Sequence, residues 1–112
     1  CGSCAVIIGK KAVNSCLVFA GAAQGKTITT IEGIGTPSEP HPLQKAFVEG
    51  GGVQCGFCTP GLIISAKALL DEKPGASLAD IREALDGNLC RCTGYTKPLE
   101  AVREAAHLLR GG

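Results

Sequence analysis

The sequence predicts an α+β protein in which a small β-sheet precedes a group of helices. Two short runs, residues 5–8 and 26–31, are rich in β-branched residues and lie next to glycines, as strands of a small sheet do. From residue 42 onward, apolar residues recur every three or four positions, the period of a helix. Residues 33–42 hold two glycines and three prolines, which interrupt both kinds of element. We therefore predict two domains, residues 1–36 and 37–112.

Between the two predicted strands, residues 12–20 are apolar and fit either a strand or a loop that carries Cys16. Four helices are predicted after the linker, each with an apolar face between a start signal and a stop signal. Thr59 is the expected cap of the second helix, and Ser77 with Asp80 forms a capping arrangement for the third. The apolar positions of the fourth are Leu99, Val102, Ala106 and Leu109. The predicted spans are 42–49, 60–71, 78–86 and 98–109.

Composition excludes several kinds of partner. Eleven Lys and Arg balance ten Asp and Glu without a basic stripe, so nucleic acid is not expected. The longest apolar stretch, residues 16–23, is far shorter than the roughly 20 residues that span a bilayer. Three Phe, one Tyr and no Trp leave little material for a large core, so we expect bound metal or covalent links to stabilise the fold.

The seven cysteines indicate metal binding rather than disulfides. An odd number argues against a closed disulfide framework, and unpaired thiols favour a reducing compartment such as the cytoplasm. His41 and His107 are expected to be surface or capping residues instead of ligands. Six of the cysteines form close pairs, namely Cys1/Cys4, Cys55/Cys58 and Cys90/Cys92.

The first group of cysteines follows the spacing of plant-type [2Fe–2S] ferredoxins, C-x4-C-x2-C and a distant fourth cysteine. Cys1, Cys4 and Cys16 match its last three positions. The first ligand would precede Cys1 by five positions, so we expect the chain shown to begin inside this domain. Gly2 and Ser3 are small enough for the tight loop that such a cluster needs.

The second group, Cys55, Cys58, Cys90 and Cys92, supplies four thiolates from two short motifs. Each motif precedes a predicted helix, whose N-terminus offers free N–H groups and partial positive charge to a cluster. A structural Cys4 zinc site is the alternative, although C-x-C is an unusual half-site for zinc. The sequence shows no acid–base or nucleophilic constellation, so we expect electron transfer rather than bond chemistry on this chain.

Two longer motifs carry a family resemblance. Residues 53–61 read Val-Gln-Cys-Gly-Phe-Cys-Thr-Pro-Gly and residues 87–95 read Gly-Asn-Leu-Cys-Arg-Cys-Thr-Gly-Tyr. With residues 1–6 and 30–34, they resemble the iron–sulfur subunit of the molybdenum hydroxylase (xanthine oxidase) family. The resemblance covers nearly the whole chain. It implies a β-grasp, ferredoxin-like domain followed by a four-helix domain, each with one [2Fe–2S] cluster.

The resemblance also implies partners and roles. A large subunit would bind molybdopterin and oxidise the substrate, and electrons would pass through both clusters, commonly to FAD on a third subunit. By motif, the second group of cysteines would hold the cluster near molybdenum and the first group the distal one. Gln54 would hydrogen-bond the pterin, and the sulfur of Cys92 would lie near the pterin amino group. The short interval from Cys4 to Cys16 is similar to that of separate-subunit bacterial enzymes.

Two other functions remain open at this point. One is a free-standing, two-cluster electron carrier of the ferredoxin kind, although the sequence lacks an acidic docking surface. The other is a zinc-stabilised interaction module, which would be colourless and contain zinc. The substrate of the complex cannot be read from this chain, since the substrate pocket would belong to the large subunit.

Overall fold

The computed structural model describes residues 1–111 and contains a three-stranded sheet and four α-helices. Three short 3-10 helices, Ser15–Leu17, Ala20–Ala23 and Ile31–Gly33, lie between the strands or follow them. The strands are β1 (Ala5–Ile8), β2 (Lys11–Asn14) and β3 (Ile28–Thr29). The helices are α1 (Pro42–Glu49), α2 (Thr59–Glu72), α3 (Leu78–Leu85) and α4 (Thr96–Leu109). The α+β class predicted from the sequence is therefore confirmed.

The sheet has β1 at its centre, with β2 and β3 antiparallel on either side. A two-residue loop at Gly9, which has a positive φ of 64°, turns β1 into β2 and aligns Val6 with Val13. The predicted strand at 26–31 is shorter than expected, because β3 pairs only with Ile7 and Ile8 at the end of β1. The ambiguous segment 12–20 begins as strand and then forms the 3-10 helix that carries Cys16.

The helices match the predicted ones to within two residues at each end. Cys58, not Thr59, occupies the cap position of α2, and the Thr59 hydroxyl is buried without a hydrogen-bond partner. The predicted Thr59 cap was therefore wrong. Helix α4 begins at Thr96, two residues before the predicted start, and its last residue, Leu109, is 47% exposed. The reason for the early start is Tyr95, whose left-handed φ of 71° directs the chain into the helix.

Helices α1 and α3 begin as the sequence predicts. Pro42 is the first residue of α1, and His41 caps it by accepting a hydrogen bond from the Leu43 N–H at its Nδ1, 3.1 Å away. Ser77 and Asp80 form a reciprocal capping box at the start of α3. These local signals involve neighbouring residues only, which is why the sequence reveals them.

Helix α2 is buried on nearly all sides and connects the two parts of the fold. Leu62, Ile63 and Leu70 belong to the core shared with the other helices, whereas Ile64 contacts Ile7 of the sheet. Burying a side chain of this size contributes about 1.5–3 kcal/mol. The N-terminus of this central helix is therefore fixed from both directions, and one cysteine motif immediately precedes it.

Within residues 1–111, every helix is too short or too polar to pass through a lipid bilayer.

Candidate iron–sulfur centre

The two cysteine motifs of the helical part both lie just before helix N-termini. Residues 55–58 end at the cap of α2, and residues 90–92 are followed by a short turn that enters α4. In each motif one thiol is exposed and one is partly buried: Cys55 and Cys92 are exposed, whereas Cys58 and Cys90 are partly buried. Each motif thus places one exposed and one partly buried thiol close to the N-terminus of a helix.

The four thiols face one another in two pairs. Burial, followed by a hydrogen bond and charge interaction with Cys90, raises the pKa of Cys58 to about 11. A hydrogen bond with the Cys55 side chain is the main cause that raises the pKa of Cys92. The inner pair is therefore Cys58 with Cys90, and the outer pair is Cys55 with Cys92.

This arrangement fits a two-iron cluster by the chemistry of its donors. Among residues 1–111, no three Cys, His, Asp or Glu side chains converge on a position for a single metal ion. A [2Fe–2S] cluster distributes four thiolates over two irons, and the two facing pairs of thiols from the two motifs fit such a donor set.

The sulfur of Cys90 lies within hydrogen-bond distance of both the hydroxyl and the N–H of Thr93. Burial raises its pKa, but hydrogen bonds with the Thr93 side chain and backbone outweigh that effect and lower the pKa of Cys90 to about 7. The Thr93 hydroxyl lies 3.0 Å from Cys90 Sγ, and the Thr93 N–H donates to the same sulfur at 3.4 Å. The thiolate, which is the form that ligates iron, is thereby favoured at this position.

The first group of cysteines lies in loops at the end of the small sheet. The pKa of Cys4 is lowered mainly by hydrogen bonds from the backbone and the thiol of Cys16, so these two residues are brought together. The Ser15 hydroxyl fixes the loop by donating to the Cys4 carbonyl at 2.8 Å. The Cys1 thiol is exposed and lies 3.3 Å from the Ser3 hydroxyl.

The loop of residues 1–4 contacts the second group directly. The Leu89 N–H, one residue before Cys90, donates to the Cys1 carbonyl at 2.8 Å. Gly2 lies against both Asn88 and Gly61, since a Cβ on Gly61 would meet the Gly2 carbonyl well inside contact distance. The two cysteine loops are therefore in van der Waals contact and share one hydrogen bond.

Asn88 is a buried polar residue at this junction, only 5% exposed. Its Nδ2 donates to the Ser65 hydroxyl on α2 at 2.8 Å, whereas its Oδ1 is buried without a partner. The sequence alone assigned no role in the site to Asn88, Thr93 or Tyr95. All three lie inside the motif at 87–95, so the motif itself was the available signal.

Gln54, predicted to contact a pterin, lies in the loop between α1 and α2 and is exposed. It directly precedes the exposed thiol of Cys55, which is paired with Cys92. The two residues expected to face a partner cofactor are thus on the outer side of the thiol cluster, away from the core.

Comparison with known proteins agrees with this geometry. Residues 30–103 match the family model described as a [2Fe-2S] binding domain. The small FeS subunit of nicotinate dehydrogenase from Eubacterium barkeri is 50% identical over 105 residues, which cover 94% of this chain and 67% of that subunit. One component of the nicotinate dehydrogenase from Pseudomonas putida is 47% identical over 110 residues, covering 98% of this chain and 70% of that component.

Solved structures give the same result. The aldehyde oxidoreductase from Desulfovibrio gigas superposes with a TM-score of 0.95 at 49% identity, covering 99% of this chain but 13% of that protein. Quinoline 2-oxidoreductase from Pseudomonas putida 86 superposes with a TM-score of 0.89 at 39% identity, covering 100% of this chain and 70% of the matched chain. The chain thus spans about two thirds of its small-subunit relatives and a small part of the long single-chain enzyme.

Fold and thiol arrangement define an iron–sulfur protein of the electron-transfer class. The sequence and structural matches are more specific: the chain belongs to the [2Fe–2S]-binding iron–sulfur subunits and domains of the molybdenum hydroxylase family.

Proposed function

We propose that this chain conducts electrons from a molybdopterin site on a large partner subunit, through two [2Fe–2S] clusters, towards FAD or another acceptor. The observation that carries the proposal is the contact between the two cysteine loops, made by Gly2 against Asn88 and by the hydrogen bond from Leu89 to Cys1. Each of the two loops carries proposed cluster ligands, so their contact would place the two clusters next to each other, as electron transfer between them requires.

The inner cluster is assigned to Cys55, Cys58, Cys90 and Cys92. Support comes from the two facing thiol pairs and from the position of both motifs at helix N-termini, whose N–H groups favour a negatively charged cluster. When bound, a [2Fe–2S] cluster accepts and releases one electron at a time. The protein's part is to hold the four sulfurs, exclude water from the inner pair and leave the outer pair accessible.

The distal cluster is assigned to Cys1, Cys4 and Cys16 as three of its ligands. Its domain, residues 1–36, would be a β-grasp, ferredoxin-like fold, of which the described three-stranded sheet is a part, and residues 37–112 would form the second domain. The contact between Cys4 and Cys16 supports this assignment. The tight turn at Gly2, with a positive φ of 90°, lets the loop approach the inner site closely.

Electron transfer between the clusters would use the shared hydrogen bond. From Cys1 the route follows the backbone to its carbonyl, crosses 2.8 Å to the Leu89 N–H and continues along one peptide unit to Cys90. Because electron tunnelling decays less steeply through bonds than through space, one short hydrogen bond between two ligand-bearing loops favours rapid transfer.

The exposed side of the site indicates where the partner subunits would bind. Gln54, Cys55 and Cys92 are exposed and would face the large molybdopterin-binding subunit, with Gln54 hydrogen-bonding the pterin and Cys92 lying close to it. A medium, FAD-binding subunit is the proposed acceptor on the distal side. The free thiols suit a reducing compartment, which we propose to be the cytoplasm.

Isolation of the native complex tests this function. We expect about four irons per chain in two spectroscopically distinct [2Fe–2S] centres, together with a co-purifying molybdenum-containing subunit. If the chain purifies alone with both clusters, it is instead a free-standing carrier. A colourless protein with zinc and little iron would overturn the proposal in favour of a zinc-stabilised module.

A further inference from the structure

Thr93 and Tyr95 form a closed, hydrogen-bonded turn around Cys90. The Tyr95 N–H donates to the Thr93 hydroxyl oxygen at 3.1 Å, and that hydroxyl lies 3.0 Å from Cys90 Sγ. The Cys90 N–H in turn donates to Tyr95 Oη at 2.9 Å. Each of the three residues therefore contacts the other two, and the turn ends at the sulfur.

The direction of the central hydrogen bond follows from its neighbours. The Thr93 oxygen already accepts from the Tyr95 N–H, so its own proton is free to be donated. A cysteine that ligates iron is a thiolate and can only accept. The chain of hydrogen bonds therefore runs from the Tyr95 N–H to the Thr93 hydroxyl and from there to the sulfur of Cys90.

Tyr95 adopts a backbone conformation that its residue type disfavours. Among residues 1–111 it is the sole non-glycine residue with a positive φ, 71°. Such strain persists only where the surroundings impose it, and it is concentrated at functional sites. In this conformation the Tyr95 N–H donates to the Thr93 hydroxyl, and the Tyr95 phenol oxygen accepts from the Cys90 N–H. Glycine would adopt the same φ without strain but would lack the phenol.

We propose that the turn formed by Thr93 and Tyr95 sets the reduction potential of the inner cluster. The Thr93 hydroxyl donates to the Cys90 sulfur, and Tyr95 acts as a positioning residue that holds the hydroxyl in place. A donor on a ligating sulfur stabilises the extra negative charge of the reduced cluster and so raises its potential. The inference rests on the proposed ligation of that cluster by Cys90.

The turn lies on the proposed electron route, where a higher potential favours reduction of the inner cluster by the molybdenum site and moderates its onward donation to the distal cluster. Cys90 is the ligand next to Leu89, whose N–H contacts the distal loop, so the turn acts on the sulfur nearest the exit route. Thr59 offers an instructive contrast. It follows Cys58 as Thr93 follows Cys92, yet its buried hydroxyl has no partner in the described chain.

The test is a set of variants in the assembled, full-length enzyme, with each cluster's potential measured by a redox titration followed by electron paramagnetic resonance. Thr93→Val keeps the side-chain shape but removes the hydroxyl, and should shift one of the two centres to lower potential while leaving the other unchanged. Thr93→Ser should restore the original value. Thr96→Val is the matched control, since Thr96 is exposed and lies outside the turn.

Several results would overturn the inference. An unchanged potential in Thr93→Val with both clusters present would exclude the hydroxyl as the determinant. Loss of inner-cluster iron in both Thr93→Val and Thr93→Ala, but not in Thr93→Ser, would assign the hydroxyl to assembly instead.

Tyr95→Phe should shift the same centre, and an unshifted potential would remove Tyr95 from the inference. Cys90→Ser, measured in parallel, distinguishes a failure of the proposed turn from a failure of the proposed ligation. If Cys90→Ser leaves both clusters unaltered, Cys90 is not a ligand of the inner cluster.

Discussion

Gly2 and Asn88 are in contact so close that no side chain fits between them: a Cβ on Gly2 would lie 2.5 Å from Asn88 Oδ1 and 2.8 Å from the Gly87 carbonyl. Gly2 belongs to the loop of the first cysteine group, whereas Asn88 lies two residues before Cys90 of the second. The relationship shows that the two loops are assembled as one unit. Their separation cannot adjust without moving the backbone.

Gly2→Ala should therefore do more than strain one dihedral angle. The positive φ of 90° costs an L-residue about 1–3 kcal/mol. In addition, the new Cβ would clash with Asn88, so the loop of residues 1–4 would have to move. We expect a lower melting temperature and an altered spectrum of the distal cluster. Gly9→Ala is the matched control, because Gly9 also has a positive φ, 64°, but nothing lies within 4 Å of its added Cβ. Equal effects of the two substitutions would show that the contact between the loops is unimportant.

The hydrogen bond from Asn88 to Ser65 should contribute measurably to stability, because both residues are buried. Asn88→Ala and Ser65→Ala should each lower the free energy of unfolding by about 1–3 kcal/mol, since each leaves a buried polar group unpaired. The double variant should cost less than the sum of the two. A double-mutant cycle in urea measures this coupling, and strict additivity would show that the bond makes no net contribution.

His41 should make the protein less stable in mild acid. Burial, followed by the positive charge of Lys67, lowers the pKa of His41, while Asp71 opposes this effect. The neutral imidazole caps α1, so the stabilisation is complete above the ordinary pKa of 6.5 and is lost as the pH falls through the lower pKa of the folded state.

A pH series of unfolding midpoints, from about pH 7.5 to about pH 5, checks this expectation. The control is His41→Asn, whose side-chain oxygen can cap the helix without titrating. A helix cap is typically worth about 1 kcal/mol, which sets the expected difference between the two proteins at the acidic end. If both proteins lose stability in parallel, a group other than His41 is responsible.

Gln54→Leu should weaken the link to the proposed large subunit while sparing the clusters. An amide supplies two donors and an acceptor to a heterocycle edge, and leucine would leave those partner groups unpaired at about 1–3 kcal/mol each. We expect lower molybdenum retention or slower reduction of the inner cluster by substrate, with unchanged iron. Rapid-mixing kinetics and molybdenum analysis provide the measurement, and wild-type values in both would exclude Gln54 from the pterin side.

Elements defined by neighbouring residues were predictable from the sequence, as α1 and α3 with their caps demonstrate. The start of α4 was not, since a left-handed tyrosine carries no sequence signal of the kind that glycine gives at such positions. Thr59 failed as a cap because the preceding Cys58 occupies that position.

Within the candidate site, the cysteine spacings identified the thiol groups, but the contact of Gly2 with Asn88 and Gly61 joins distant parts of the chain. No local pattern encodes such a contact. The roles assigned to the individual cysteines and to Gln54 remain predictions.

Helix α2 touches the sheet through Ile64 and the other helices through Leu62 and Leu70. Since one helix contributes to both hydrophobic clusters, loss of the sheet would expose Ile64 of α2, and loss of α2 would expose Ile7 of the sheet. Denaturation should consequently be a single cooperative event, and amide protons in the sheet and in the helices should exchange with solvent at comparable, global rates. Such shared rigidity also limits how far the ligand loops can relax when an electron arrives, so the centres would change charge with little rearrangement of the surrounding protein.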